Sequence, residues 1–307
     1  MAILLNNNGF DNQPWSHALA KLLPDMPIYN YPDIPAAQEI DYAVVWNHPH
    51  GDLLNYPNLK AILMLGAGMD HIDAEPELPK VPIVRLVDPA VGDDMAQYAL
   101  YWLIHFQRRF EDYRQQAEAR HWQRYEVPLS RDFRVSVIGL GPIGSIIAER
   151  IGLCGFNARG WSRSGKQLEN VECYSGSDGL TEIMASTDAL VNCLPLNTGT
   201  RHFLDQNTLG LLPKGAFLLN VSRGAVIDDQ ALLCLLDSGH IAGAALDAFA
   251  EEPLPADSPF WSRDNVFVTP HVAGGTYPKT AARVIVDNIR RIEAGQQPFP
   301  VYERQPE

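Results

Sequence analysis

One stretch constrains the fold of this chain more than any other: Val135-Ser136-Val137-Ile138-Gly139-Leu140-Gly141-Pro142-Ile143-Gly144. A short apolar β-type run leads into G-x-G-x-x-G, and a helix-type run from Ile143 to Leu153 follows. A strand-to-helix turn of this kind belongs to a parallel βαβ unit. Gly139 permits the tight turn, Gly141 lets the backbone approach a pyrophosphate, and Gly144 lets helix and strand pack closely. The helix N-terminus adds unpaired N–H groups and the positive end of a dipole. The stretch therefore reads as a dinucleotide site, with Gly139, Gly141, Pro142, Ile143 and Gly144 as its candidate contacts.

The next strand bears on which dinucleotide is bound. An NAD site usually carries an acid about 20 residues on, to hold the ribose 2′-hydroxyl. Here the second strand, Phe156 to Trp161, ends in Ser162-Arg163-Ser164-Gly165-Lys166, and no Asp or Glu occurs between Arg150 and Leu168. An acid would repel a 2′-phosphate, whereas Ser162, Arg163, Ser164 and Lys166 would bind one. The expected cofactor is NADPH, with NADH weaker.

The remaining chain supports a two-domain α/β protein. Its 307 residues suggest about two domains. Apolar runs of strand length alternate with helix-type runs, the pattern of parallel sheets covered by helices. The first set of strands is expected at Ile3–Leu5, Tyr42–Trp46, Ala61–Leu65 and Ile83–Leu86. The second set is expected at Val135–Ile138, Ala158–Trp161, Leu190–Cys193, Phe217–Asn220, Ala244–Leu246 and Val266–Thr269. Between the sets, Met95, Ala99, Trp102, Phe106 and Phe110 predict one long amphipathic helix. A last helix spans about Pro278 to Ala294, with Pro278 in its first turn and Gly295 just past its end. Its stripe of Ala281, Ile285, Ile289 and Ile292 needs a core, and the second domain is already complete. The first domain is therefore expected to be discontinuous, over 1–99 and 277–307, with a nucleotide domain over 100–276.

Several classes are disfavoured. The formal charge of −13 argues against a nucleic-acid partner. No apolar run is long enough to span a bilayer, and Met1-Ala2-Ile3-Leu4-Leu5-Asn6 lacks a basic n-region, so a cytoplasmic location is expected. Cys154, Cys173, Cys193 and Cys234 form no C-x-x-C and read as core residues or free thiols. His48-Pro49-His50 is a tight histidine pair without matching ligands, so it reads as loop and no metal is expected.

Four ordered motifs carry a resemblance that spans nearly the whole chain. Besides the glycine turn they are Leu194-Pro195-Leu196-Asn197-Thr198-Gly199-Thr200, Asn220-Val221-Ser222-Arg223-Gly224, Leu246-Asp247 through Glu252-Pro253-Leu254, and Thr269-Pro270-His271-Val272-Ala273-Gly274. In these the chain resembles the D-isomer-specific 2-hydroxyacid dehydrogenases. Trp161-Ser162-Arg163-Ser164, Trp46, Leu65 to Asp70 and Arg108-Arg109-Phe110 are similar to the glyoxylate/hydroxypyruvate reductase A group. The resemblance implies a Rossmann nucleotide domain, a flavodoxin-like substrate domain, and an active site in the cleft between them.

It also implies roles. His271 would be the proton donor, since an imidazolium titrates near working pH. Glu252, at 271 − 252 = 19 residues earlier, would accept a hydrogen bond from the imidazole. Arg223, at 252 − 223 = 29 residues earlier still, would bind the substrate carboxylate and polarise the keto oxygen with its planar fork. Leu194, Pro195, Thr200, Val221 and Ser222 would line the cofactor, and Asp247 would meet the nicotinamide carboxamide. The N–H groups of Ala67 and Gly68 would form a small anion nest for the substrate carboxylate. Trp46 would wall that pocket, and Arg85 is a further candidate contact. Relatives are homodimers joined near Trp122, so a homodimer is expected.

The activity implied is reduction of glyoxylate to glycolate and of hydroxypyruvate to D-glycerate. Two alternatives stay open: a dehydrogenase for a bulkier 2-keto acid or phosphoglycerate, and a nucleotide-sensing relative that binds protein partners. Formate-oxidising relatives carry glutamine where Glu252 stands, which disfavours that chemistry.

Overall fold

The computed structural model describes residues 1–304. The first compact unit is Met1–Ala90 together with the stretch from Thr276 onward, and the second is Val91–Gly275. In chain order the first unit opens with β1 (Ala2–Asn7), α1 (Gln13–Leu22), β2 (Ile28–Asn30), β3 (Ile40–Trp46), β4 (Ala61–Met64), α2 (Asp70–Asp73) and β5 (Ile83–Val84). Next come α3 (Pro89–Gln107), α4 (Phe110–Glu118), β6 (Arg134–Ile138), α5 (Pro142–Leu153), β7 (Asn157–Ser162), β8 (Glu172–Ser175) and α6 (Gly176–Met184). Then β9 (Ala189–Asn192), α7 (Gln206–Gly210), β10 (Ala216–Asn220), α8 (Asp229–Asp237), β11 (Ile241–Leu246) and β12 (Val266–Val268) follow, and α9 (Pro278–Glu293) closes the chain.

Among the described residues the strands make two sheets, both fully parallel. The first has five strands in the order β2-β1-β3-β4-β5, and the second has seven in the order β12-β11-β10-β9-β6-β7-β8. Strands covered on both faces need apolar residues at successive positions rather than alternate ones. Leu4 and Leu5 of β1, and Ala43, Val44 and Val45 of β3, are all 0% exposed. In the first unit these strands share one core with Ala281, Ala282, Ile285, Val286 and Ile289 of α9.

Three differences from the sequence reading have local causes. Strands β2 and β8 are not among the expected strands. Each lies at a sheet edge, and neither holds a fully buried residue, so neither carries an apolar run. The single long helix expected to reach Phe110 stops at Gln107. Arg109 takes a left-handed φ of 58°, its N–H closes on the Phe106 carbonyl at 3.0 Å, and Phe110 begins α4. The units part at 90/91 and 275/276, where boundaries at 99/100 and 276/277 were expected. Ala96 and Ala99 of α3 already sit in the second unit's core, and Gly92 lies against Ile146.

Candidate active site

The glycine turn is built as its residue types require. Gly139 has φ +96°, and a Cβ there would meet the backbone of Cys193 at 2.7 Å. A Cβ on Gly144 would run into the carbonyl oxygen of Gly139. Gly141 differs: a Cβ there would meet no atom within 4 Å. The outer two glycines are therefore needed by the protein's own packing, whereas the middle one faces open space. Helix α5 starts at Pro142 with Gly141 as its N-cap, and no side chain caps its N–H groups. Uncapped N–H groups beside an unobstructed glycine fit a pyrophosphate.

Beyond β7 the chain turns, with the Gly165 N–H reaching the Ser162 carbonyl at 3.4 Å. Arg163 and Ser164 are exposed, and the buried Ser162 hydroxyl has no partner. Lys166 folds back: its Nζ donates to Ser145 Oγ at 2.7 Å and to the Leu140 carbonyl at 3.3 Å. The lysine thus ties this loop to the glycine turn. An exposed guanidinium and an unpartnered hydroxyl, on a stretch with no acid from Arg150 to Leu168, fit a 2′-phosphate.

The other expected cofactor residues present backbone more than side chain. Leu194 and Val221 are 6% and 5% exposed, with side chains in the core. Thr200 donates to the Pro195 carbonyl at 2.5 Å and accepts from the Asn197 N–H at 2.8 Å, which folds its own loop. The Ser222 hydroxyl donates to the Leu194 carbonyl. Asp247 was expected to face a carboxamide, yet it is 2% exposed and both its oxygens are engaged. Oδ1 accepts from Thr269 Oγ1 at 2.6 Å and the Val272 N–H at 2.8 Å, and Oδ2 accepts from the Ala273 N–H at 2.9 Å. It braces the segment that carries His271.

Arg223, Glu252 and His271 follow β10, β11 and β12, which are neighbours in the sheet. Asn192 and Asn220, both 0% exposed, were not singled out from sequence, and they hold these strand ends. Asn192 Nδ2 donates to Asn220 Oδ1 at 2.9 Å, and Asn192 Oδ1 accepts from the Leu194 N–H at 3.1 Å. Asn220 Nδ2 donates to the Ala248 carbonyl at 3.2 Å, and its Oδ1 accepts from the Ser222 N–H at 3.3 Å. The signal was an asparagine ending each of two wholly apolar strands. Arg223 extends from this frame with Nη1 donating to the Ser222 carbonyl at 3.0 Å. The next residue, Gly224, is pressed against the backbone of Phe249 and Ala250.

Glu252 and His271 form a pair. Glu252 Oε1 accepts from the Phe249 N–H at 2.9 Å, and Oε2 lies 2.9 Å from His271 Nδ1. A carboxylate can only accept, so Nδ1 carries the hydrogen and Nε2 is the nitrogen this pair leaves unengaged. The side chains are 38% and 45% exposed, so both are open to solvent. His271 has φ +55°, a conformation L side chains rarely adopt. Its N–H donates to the Asp247 carbonyl at 2.9 Å and the Thr269 carbonyl at 3.1 Å, which holds it there. Residues held in such conformations cluster at functional sites.

The first unit gathers its own candidates. The Trp46 ring packs on Gly66, where a Cβ would fall 2.7 Å from Cε3, and stands edge-on to His71 at 4.7 Å. Arg85 Nε donates to the Ala67 carbonyl at 3.1 Å, beside Gly68. His48 and His50 converge on one buried carboxylate: His48 Nε2 is 3.1 Å and His50 Nδ1 3.6 Å from Glu75. Burial lowers the His48 imidazole below its ordinary range despite that carboxylate. Among the described residues no group of three or more His, Cys, Asp or Glu could hold a metal, and all four cysteines are free thiols. Trp122 is 95% exposed in the irregular stretch before β6.

A parallel sheet with a dinucleotide turn at one strand end, and an Arg, a Glu–His pair and their braces at neighbouring ends, defines a nicotinamide-dependent oxidoreductase acting on CH–OH groups. Residues 100–273 match the family model described as D-isomer specific 2-hydroxyacid dehydrogenase, NAD binding domain, and the chain belongs to that family. It is similar to a D-isomer specific 2-hydroxyacid dehydrogenase from Xanthobacter autotrophicus Py2, solved with NADPH and MES, at 39% identity and TM-score 0.96 over 99% of this chain and 98% of that one. It is similar to the NADPH-dependent glyoxylate/hydroxypyruvate reductase of Sinorhizobium meliloti, solved with NADP and sulfate, at 32% identity and TM-score 0.92 over 99% of each chain. A probable 2-hydroxyacid dehydrogenase from Rhizobium etli CFN 42, solved with NADP, HEPES and L(+)-tartaric acid, matches at 30% identity and TM-score 0.90 over 99% and 98%.

Proposed function

We propose that this protein uses NADPH to reduce small 2-keto acids, glyoxylate to glycolate and hydroxypyruvate to D-glycerate. The observation that carries the reading is the Glu252–His271 pair at 2.9 Å, on the strand ends beside Arg223. Reduction of a keto group needs a hydride, a proton and a cation. When bound, NADPH supplies the hydride. His271 then gives a proton to the keto oxygen from Nε2, while Glu252 stabilises the imidazolium through Nδ1. Arg223 pairs with the substrate carboxylate and draws charge toward the keto oxygen.

Choice of NADPH follows from the loop after β7. Arg163 and the hydroxyls of Ser162 and Ser164 take the 2′-phosphate, and the sequence places no acid between Arg150 and Leu168. The similar proteins crystallised with NADPH or NADP support this cofactor, and the S. meliloti reductase supports the small substrates. Among the described residues no helix is long and apolar enough to cross a membrane. The nearly bare Trp122 supports a homodimer as the working assembly.

The test is loss of nicotinamide absorbance with purified protein, comparing NADPH and NADH on glyoxylate, hydroxypyruvate, pyruvate and a bulky 2-keto acid. Fast NADPH oxidation with the two small acids is expected, and it should collapse in His271→Ala while NADPH still binds. NADPH binding without turnover on any of the acids would reject the reading.

A further inference from the structure

The braces of His271 extend beyond the motifs that contain it. Tyr98 lies on α3, and its hydroxyl is 2.6 Å from Thr269 Oγ1. Thr269 Oγ1 in turn donates to Asp247 Oδ1 at 2.6 Å. A threonine hydroxyl has one hydrogen, and a carboxylate oxygen can only accept it. The Thr269 hydrogen is therefore committed, and Tyr98 must be the donor to Thr269. Burial, the largest effect, pushes the Tyr98 hydroxyl up to about 12, so it keeps its proton at working pH. The chain of donors runs one way, from Tyr98 to Thr269 to Asp247.

Asp247 is where this chain meets the reacting group. Its carboxylate accepts the N–H groups of Val272 and Ala273, just after His271, and the hydroxyl of Thr269, two residues before it. Its carbonyl accepts the His271 N–H itself. The left-handed backbone of His271 is thus fixed from both sides by one residue, whose orientation depends on the Thr269 hydroxyl. We propose that Tyr98 is a positioning residue for His271, acting through Thr269 and Asp247 to hold the imidazole where it can deliver a proton. This rests on the reading of His271 as proton donor.

Tyr98→Phe tests it, because it keeps the ring and removes only the hydroxyl. With whichever 2-keto acid the wild type turns over, kcat should fall roughly tenfold, the scale of one lost net hydrogen bond. The KM for NADPH should stay put. The solvent deuterium isotope effect on kcat should rise, since a misplaced donor makes proton delivery slower than the other steps. Thr269→Ser should behave as wild type, and Thr269→Val should repeat the Tyr98→Phe result. A Tyr98→Phe enzyme with wild-type kcat and isotope effect, alongside an inactive His271→Ala, overturns the role of Tyr98 alone. A fall in kcat with an unchanged isotope effect and a matching rise in the NADPH KM makes Tyr98 merely structural. A fully active His271→Ala overturns the proton-donor reading and this role with it.

Discussion

Gly224→Ala should disable catalysis while sparing cofactor binding. Gly224 follows Arg223, and a Cβ there would lie closer than 3.0 Å to the carbonyl carbon and Cα of Phe249 and to the nitrogen of Ala250. Carbon atoms out of contact prefer about 3.5–4.0 Å, and all three atoms lie far inside that range, so the two segments must part by more than about 1 Å. All three obstructing atoms are backbone, so no rotamer change relieves them. Forcing apart a packed interior costs about 1–3 kcal/mol, and in a unit of this size each kcal/mol lowers Tm by about 2–4 °C. The fold should survive. The kinetic loss is larger in proportion, because one segment carries Arg223 and the other leads to Glu252. Misplacing reacting groups by about 1 Å can cost roughly 100-fold in rate. We expect kcat/KM for the keto acid to fall by about ten- to a hundredfold, with the NADPH Kd nearly unchanged. Steady-state kinetics, a fluorescence titration with NADPH and a calorimetric scan measure the three quantities. Wild-type kcat/KM in a folded Gly224→Ala protein would refute the view that this contact sets the spacing of the two charged groups.

The two outer glycines of the turn should part company with the middle one. Gly144→Ala should lower Tm through its clash with the Gly139 carbonyl, whereas Gly141→Ala should leave Tm intact and abolish NADPH binding. Arg163→Ala should raise the KM for NADPH roughly tenfold or more, the scale of a lost charge-assisted hydrogen bond, and leave NADH unaffected; an unchanged preference in coenzyme assays would clear the loop of that role. For His48 the folded imidazole lies below its ordinary value of about 6.5. Below that ordinary value the unfolded chain binds a proton that the native protein refuses, so stability should fall as pH drops through this window. Tm measured against pH should slope less in His48→Gln; an identical slope would assign the acid sensitivity elsewhere.

How much of this was legible in the sequence depended on whether a residue's job is local. Buried parallel strands announce themselves through runs such as Ala43-Val44-Val45, because both faces are covered. The glycine turn is equally plain, since steric needs at Gly139 and Gly144 exclude any side chain. Edge strands β2 and β8 were silent because nothing covers them enough to demand apolar residues. The break at Arg109 was hidden because a left-handed arginine leaves no composition signal. Within the candidate site, reactive groups stand out by type, but their braces do not. Asn192 and Asn220 look like ordinary polar residues until their strands lie side by side. Tyr98 lies 171 residues from Thr269, and only the folded chain brings them together.

The sheet of the second unit also works as a ruler. Asn220, Leu246 and Val268 fall in one row across β10, β11 and β12, and Arg223, Glu252 and His271 follow that row on separate loops. Neighbouring strands repeat about every 4.8 Å because backbone hydrogen bonds set that distance. The lateral interval between the three strand ends from which these groups are launched is thus a property of the peptide backbone. An inserted residue at the end of a single strand is another matter. It advances one group by about 3.3 Å along its strand, turns it to the opposite face, and leaves the other two where they were. A volume-conserving change in the core leaves that row in place, whereas a change in the length of one strand end does not.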